Sequence, residues 1–319
     1  MKHMLHGRWF IRLCVAIMLP AFLPTSVLAS PTNKVEKTAA KRYIAGRNNS
    51  YSLVQRGGGA QRNHLKVSLS GRNSGLSLFS TSAMVVDQAN GEVVVRKNAD
   101  RIRPIASITK LMTAMVVLES GLDLQEIIRI SEEDVSRTYG SRSRLPKGAT
   151  MTRETALLLS LMSSDNRAAY ALGRNYPGGV AAFAVAMNRK ARALGMRNTF
   201  IQEPTGLSKN NISTAHDLAK MVAAANTFSF IRMATTIAEA IVKLDGRITS
   251  VYRNTNSLVR GSDWQIGISK TGYTRAAGRC LVMQATVAGR PMVIVLLDAN
   301  GKAARLGDAN RIRNWIEKG

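Results

Sequence analysis

The pattern of apolar and polar positions divides the chain near residue 78: beyond it apolar residues recur with regular spacing, and before it they form a single short run. Residues 83–87 and 92–96 are rich in valine and flank Asn90-Gly91, a turn pair that accepts positive φ, so they predict a β-hairpin. Between 105 and 119 apolar residues fall at 105, 108, 112, 115 and 116, close to the spacing of one helix face. Further helices are predicted over 152–162, which begins with Thr-Arg-Glu, over 179–194, and over 214–225, with Thr214 placed to cap the last. After Ala238 strand patterns return at 239–243, 247–253, 265–273, 279–288 and 291–298, and a final helix is predicted over 303–317. The last three strands are joined by short glycine-containing turns and read as an antiparallel meander. Strands from both ends of the segment with helices between them predict an α+β fold: one antiparallel sheet with an inserted helical cluster, in one globule rather than two domains.

The early apolar run, 13–23, follows Lys2, Arg8 and Arg12 and precedes Val27-Leu28-Ala29. It is shorter than the roughly 20 residues a membrane helix requires. Residues 1–29 therefore read as an export signal cleaved near Ala29. Cys14 would leave with the signal, so Cys280 would have no partner for an internal disulfide. Residues 30–77 read as a basic flexible linker, with nine Lys or Arg against Glu36 between 30 and 75 and with Gly57-Gly58-Gly59 inside it. Such a stretch is either a solvated spacer or a weak electrostatic attachment to an anionic surface. The net charge of +25 does not argue for nucleic acid, because the chain is exported and only 5% aromatic, and it carries no nucleic-acid motif. Residues 78–319 are left as the folded domain.

Three short patterns in that domain carry chemistry. Ser107 and Lys110 are three apart on the predicted helix, so hydroxyl and amine share a face. Pro104 marks the helix entrance, which places Ser107 in the first turn, where its own N–H can face a developing oxyanion. A serine hydroxyl needs a base, and a lysine of ordinary pKa is neutral in only about 1 part in 2,500 at pH 7. Desolvation would lower that pKa, and so would a second cation, for which Lys270 is the candidate. Ser164-Asp165-Asn166 joins two helical stretches: the hydroxyl could pass a proton to a leaving amine, and Asn166 offers a substrate amide both a donor and an acceptor. Ser164 could equally be a helix N-cap, and a second Ser-x-Asn stands at Ser208-Lys209-Asn210. Lys270-Thr271-Gly272 lies late on a predicted strand, where Lys270 and Thr271 suit a carboxylate and Gly272 admits a substrate backbone close to the strand edge. The N–H of Tyr273 is the candidate second oxyanion donor. Each pattern is common by itself; the three in this order are not.

With these motifs in this order, the chain resembles the low-molecular-mass penicillin-binding proteins, serine D-Ala-D-Ala peptidases that trim bacterial cell wall. Residues 103–118, 161–169, Asn175-Tyr-Pro-Gly-Gly179, Glu203-Pro-Thr-Gly-Leu207 and Arg313-Asn-Trp-Ile-Glu317 resemble the D-alanyl-D-alanine endopeptidase branch, and the similarity spans about 80–319. The resemblance implies a β-lactamase/transpeptidase-like fold, peptidoglycan peptide stems as substrate, β-lactams as inhibitors, and no metal or organic cofactor. It implies that Ser107 attacks the D-Ala carbonyl, Lys110 takes its proton, Ser164 relays a proton to the leaving amine, Asn166 holds the donor peptide, and Lys270 and Thr271 bind the substrate carboxylate. In that branch the bond cut is the cross-link between D-Ala and the diamino acid of a neighbouring stem. The carboxypeptidase branch has an additional C-terminal domain and anchor that are not evident here, which favours the endopeptidase reading over the carboxypeptidase alternative. A β-lactamase would need a carboxylate for deacylation; Glu203 is the candidate, but it lacks the nearby asparagine expected of those enzymes. A non-catalytic wall-binding protein is the remaining alternative, and the intact motifs argue against it.

Overall fold

Strand and helix patterns along 78–319 map onto a layered arrangement built around one five-stranded sheet. The structure is a computed structural model that describes residues 42–44, 75–245, 248–301 and 303–319. The expected signal, 1–29, and all of the basic stretch before residue 75 except 42–44 lie outside the described residues. In chain order the elements are β1 (Arg42–Ile44), β2 (Ser80–Asp87), β3 (Val93–Lys97), β4 (Arg103–Pro104), a 3-10 turn (Ala106–Ile108), α1 (Thr109–Glu119), β5 (Ile127–Arg129), α2 (Glu132–Arg137), β6 (Thr150–Thr152) and α3 (Arg153–Met162). Then follow α4 (Asn166–Arg174), α5 (Gly179–Ala193), β7 (Ile212–Ser213), α6 (Ala215–Ala225), α7 (Ser229–Thr236), β8 (Glu239–Leu244) and β9 (Ile248–Arg253). A second 3-10 turn (Ser257–Arg260), β10 (Gln265–Thr274), β11 (Gly278–Val287), β12 (Arg290–Ala299) and α8 (Ala304–Lys318) complete the chain.

The main sheet runs β10-β11-β12-β2-β3, every pair antiparallel, so the predicted meander and the predicted hairpin meet through the β12–β2 pairing. Alternate side chains face opposite layers. Leu281, Met283, Ile294 and Leu296 pack toward α8, with Ala309 and Ile312, whereas Val282, Val293, Val295 and Leu297 join the helical cluster. Cover on both faces accounts for the near-continuous apolar runs of β11 and β12. α8 is fastened to β2 by Asp308, whose carboxylate accepts the N–H of Phe79 and the N–H and hydroxyl of Ser80.

α1 lies inside the helical cluster, with every residue from Thr109 to Val117 buried. A helix apolar all round belongs in a core, so its one cation, Lys110, is carried into the interior. The expected helix from Ile105 begins as the 3-10 turn, and α proper starts at Thr109. Thr214 caps α6 as expected, accepting from the N–H of Asp217, and Thr152 caps α3 in the same way, accepting from the N–H of Thr155. One element of the prediction is corrected: β8 and β9 do not enter the main sheet but form a separate one, with β1 added parallel to β8. Their pattern specifies strands and carries no record of the partner. The short helices α2 and α7 were absent from the pattern reading.

Candidate active site

The 3-10 turn brings Ser107 against the edge of the main sheet, because β10 is an edge strand and Gly272 lies directly under the turn. A Cβ on Gly272 would stand 3.1 Å from Ala106 Cβ, Ile105 O and Ser107 N. The bare Cα therefore admits the chain's own Ser107 turn against the strand. Gly206 clamps the turn from another side: at φ +86°, a Cβ there would sit 2.0 Å from Ala106 O, so no other residue fits. Ala106 itself is held at φ +48°, in the left-handed region that alanine avoids. Such strain, about 1–3 kcal/mol, persists only where the surroundings enforce it.

Ser107 Oγ lies 2.8 Å from Lys110 Nζ. The same amine lies 2.6 Å from Asn166 Oδ1 and 2.6 Å from the carbonyl of Thr205. A neutral amine has two N–H donors and one lone pair. The two carbonyl oxygens accept both donors, which leaves the lone pair for the Ser107 hydroxyl. Burial pushes the Lys110 pKa down from 10.5 to about 7, while the neighbouring carboxylates of Glu203 and Asp165 pull it back up. At about 1.36 kcal/mol per unit, burial thus removes most of the roughly 5 kcal/mol needed to hold an ordinary lysine neutral at pH 7.

Lys270, buried on β10, reaches Ser164 Oγ at 2.9 Å and the carbonyl of Thr271 at 3.0 Å. Its pKa also falls well below the ordinary value, first through burial and then through repulsion from Lys110 and Arg305. The expected second cation thus acts mainly in the reverse sense: Lys110 depresses Lys270, and burial is what depresses Lys110. Arg305, from α8, supports this strand by donating to the carbonyls of Gly272 and Cys280 at 2.8 and 3.2 Å. Thr271 Oγ1 donates to Thr255 Oγ1 at 2.6 Å. Tyr273 is exposed, with its ring beneath the Arg279 guanidinium.

The link between α3 and α4 sets Ser164. Its φ is +60°, and Asp165, not Ser164, is the N-cap of α4, accepting from the N–H of Ala168. That frees the Ser164 hydroxyl and answers the capping alternative. Asp165 is further held by two contacts from Ser143 Oγ, at 3.0 and 2.8 Å, and burial raises its pKa. Asn166 then opens α4 with its side chain on Lys110. The second Ser-x-Asn is spent elsewhere: Ser208 Oγ donates to Gln202 Oε1 and accepts from the N–H of Asn210.

One participant was not anticipated, and another was weighed above for a different role. The Thr205 carbonyl carries no side-chain signature. Glu203, weighed above as a deacylating carboxylate, accepts from Thr205 N, Thr205 Oγ1, Gly206 N and Ser208 N, so both of its oxygens are occupied in shaping the loop that presents Thr205 O to Lys110. Asn211 and Thr113 tie the same loop to α1.

The chain matches the family model described as D-alanyl-D-alanine carboxypeptidase over residues 71–301. It is 48% identical over 243 residues to a D-alanyl-D-alanine endopeptidase of Pseudomonas aeruginosa, covering 76% of this chain and 78% of the relative. It is 45% identical, with the same coverage, to a D-alanyl-D-alanine endopeptidase of Escherichia coli. Among solved structures it is similar to the Streptomyces K15 DD-transpeptidase, with a TM-score of 0.70 and 28% identity, covering 75% of this chain and 97% of that one. The antiparallel sheet with inserted helices is therefore the transpeptidase-like fold expected from the sequence.

Proposed function

This chain belongs to the D-alanyl-D-alanine carboxypeptidase family of serine peptidases, and from that membership we propose that it is a DD-endopeptidase. In this reading it hydrolyses D-Ala–diaminopimelate cross-links in peptidoglycan through an acyl-enzyme and is inhibited by β-lactams. The preference for the cross-link over a terminal D-Ala rests on likeness to the two relatives named endopeptidase. The observation that carries the chemistry is the buried Lys110 amine, 2.8 Å from Ser107 Oγ with its other two contacts on carbonyl oxygens.

The proposed steps draw on this geometry. Lys110 takes the Ser107 proton as Oγ attacks the D-Ala carbonyl. The developing oxyanion is received by the N–H groups of Ser107 and Tyr273, at the turn and on the strand edge that Gly272 allows to meet. Asn166 holds the donor amide. Lys270 and Thr271 bind the carboxylate on the leaving side; arrival of that anion raises the Lys270 pKa, so Lys270 is charged when substrate is bound. Ser164, whose Oγ accepts from Lys270 Nζ at 2.9 Å, gives its proton to the departing amine and takes up the one that Lys110 removed from Ser107, so Lys110 is neutral again. Water then reverses the first half of the reaction. With Glu203 occupied by its own loop, a β-lactam acyl-enzyme has no carboxylate there to speed its hydrolysis, which supports a stalled complex over β-lactamase turnover.

Residues 1–29 are proposed to direct export, so that the enzyme meets peptidoglycan in the periplasm. The function is tested with a defined cross-linked muropeptide dimer and mass analysis of products. Cleavage to monomers that Ser107→Ala abolishes supports the proposal; release of terminal D-Ala from pentapeptide with the dimer untouched would reassign the enzyme as a carboxypeptidase.

A further inference from the structure

A carboxypeptidase releases free D-Ala, whereas an endopeptidase releases an amine that continues into a whole stem peptide. The proposed function therefore requires a surface beyond Lys270 and Thr271 for the leaving stem, and that stem carries free carboxylates. A groove of about 700 Å³ borders the Ser164 link on both sides, lined by Ser163 and Asp165. One wall is the loop Ser141-Arg142-Ser143-Arg144, and the other is the β8–β9 sheet through Glu239, Tyr252 and Arg253.

Arg142 and Arg144 are exposed, and neither forms an ion pair or a side-chain hydrogen bond among the described residues. The Arg144 guanidinium lies 4.0 Å from the centre of the Tyr252 ring, which orients it against the groove wall while leaving its N–H edge unused. Tyr252 is 1% exposed, yet its hydroxyl has no hydrogen-bond partner among the described residues. An unpaired buried hydroxyl is costly and is accounted for if a ligand completes it. The two carboxylates bordering the groove are occupied: Glu239 pairs with Arg253, and Asp165 is held by Ser143 and the cap of α4. The groove thus offers two free planar cations, the groups best suited to carboxylates. It is joined to the catalytic centre, since Ser143 bonds Asp165 and Asp165 is followed by Asn166, which bonds Lys110.

We infer that this groove is the subsite for the leaving stem, with Arg142 and Arg144 binding its carboxylates. The inference rests on the endopeptidase reading, and it makes the groove the determinant of cross-link cleavage over removal of a terminal D-Ala.

The test compares two reactions of the full chain: cleavage of the cross-linked dimer, and acylation by benzylpenicillin, which has no stem to place in the groove. Arg142→Ala/Arg144→Ala should lower kcat/KM for the dimer by roughly tenfold and leave the acylation rate constant unchanged, and added salt should weaken dimer cleavage by the wild type more than by the variant. Arg142→Lys/Arg144→Lys, which keeps the charge, should recover part of the loss. Equal loss in both reactions, or undiminished dimer cleavage, would overturn the inference. A second readout separates it from the endopeptidase reading. The stem tripeptide L-Ala-γ-D-Glu-diaminopimelate should bind the benzylpenicillin-acylated wild type and bind the double alanine variant about tenfold more weakly. If the dimer resists the wild type but this binding difference holds, the endopeptidase reading fails and the anion-binding groove stands. If the tripeptide binds both equally or neither, the groove fails.

Discussion

Two serine–lysine pairs stand in this site with nearly equal separations, Ser107–Lys110 at 2.8 Å and Ser164–Lys270 at 2.9 Å. Both lysines are buried and both have depressed pKa values. Their surroundings set them apart. Lys110 has two carbonyl oxygens to absorb its remaining donors and two carboxylates nearby. Lys270 has a single backbone carbonyl besides Ser164, and its charged neighbours, Lys110 and Arg305, are cations. The first pair is closed, its amine fully bonded and aimed at a nucleophile. The second is open, its amine held by one backbone carbonyl and one hydroxyl among cationic neighbours. In the proposed mechanism the same two residue types serve as a base in one place and as an anion receptor in the other, and the backbone carbonyls and neighbouring charges make the difference.

The most severe way to break the comparison is Lys110→Met, which fills similar space without a basic amine. Acylation by benzylpenicillin, followed by stopped flow, should fall by about 10²–10⁴-fold, the usual worth of a general base. Lys270→Met should cost less, about 10- to 100-fold, corresponding to one charge-assisted hydrogen bond to a carboxylate. This loss should be smaller for ligands that lack the carboxylate, whereas the Lys110→Met loss should not depend on it. Gly272→Ala tests the contact between turn and strand. The added Cβ, 3.1 Å from Ser107 N, should slow acylation and lower stability by about 1–3 kcal/mol in urea unfolding. Glu203→Gln should also destabilise, by about 1–3 kcal/mol, as the loop beneath Lys110 loses a charged acceptor, and it should not change the deacylation rate.

A further expected effect is thermodynamic. The folded Lys110 pKa is about 7 and its unfolded value is ordinary, so between them the unfolded chain binds more protons. The penalty for burying this lysine is complete below pH 7 and fades as pH rises toward 10.5, so its contribution to stability improves with pH across that window. The thermal midpoint of the wild type, relative to that of Lys110→Met, should therefore climb from pH 7 to pH 9.

Much of this was legible in the residues. The hairpin at Asn90-Gly91, the meander, the Thr214 cap and the order of the three motifs follow from local patterns, and the fold follows the pattern wherever periodicity is strong. What escaped reading has physical causes. The Thr205 carbonyl that bonds Lys110 could belong to any residue type. Ala106 and Ser164 adopt positive φ, which glycine advertises and these residues do not. Asp165 and Ser164 are both good capping residues, and only the turn geometry shows which one caps α4. Gly272 was legible as a close-approach position, but the approaching partner, Ile105 to Ser107, comes from a distant part of the chain. For the same reason β8 and β9 read correctly as strands and wrongly as members of the main sheet.

The most direct measurement of the central claim, that burial makes Lys110 the base for Ser107, is the pH dependence of the second-order acylation rate constant with benzylpenicillin. The account predicts a limb that rises about tenfold per unit at low pH and levels off above about 7, and that is absent in Lys110→Met. A limb that climbs without a break to the ordinary lysine range near 10, or one that Lys110→Met retains, would contradict it.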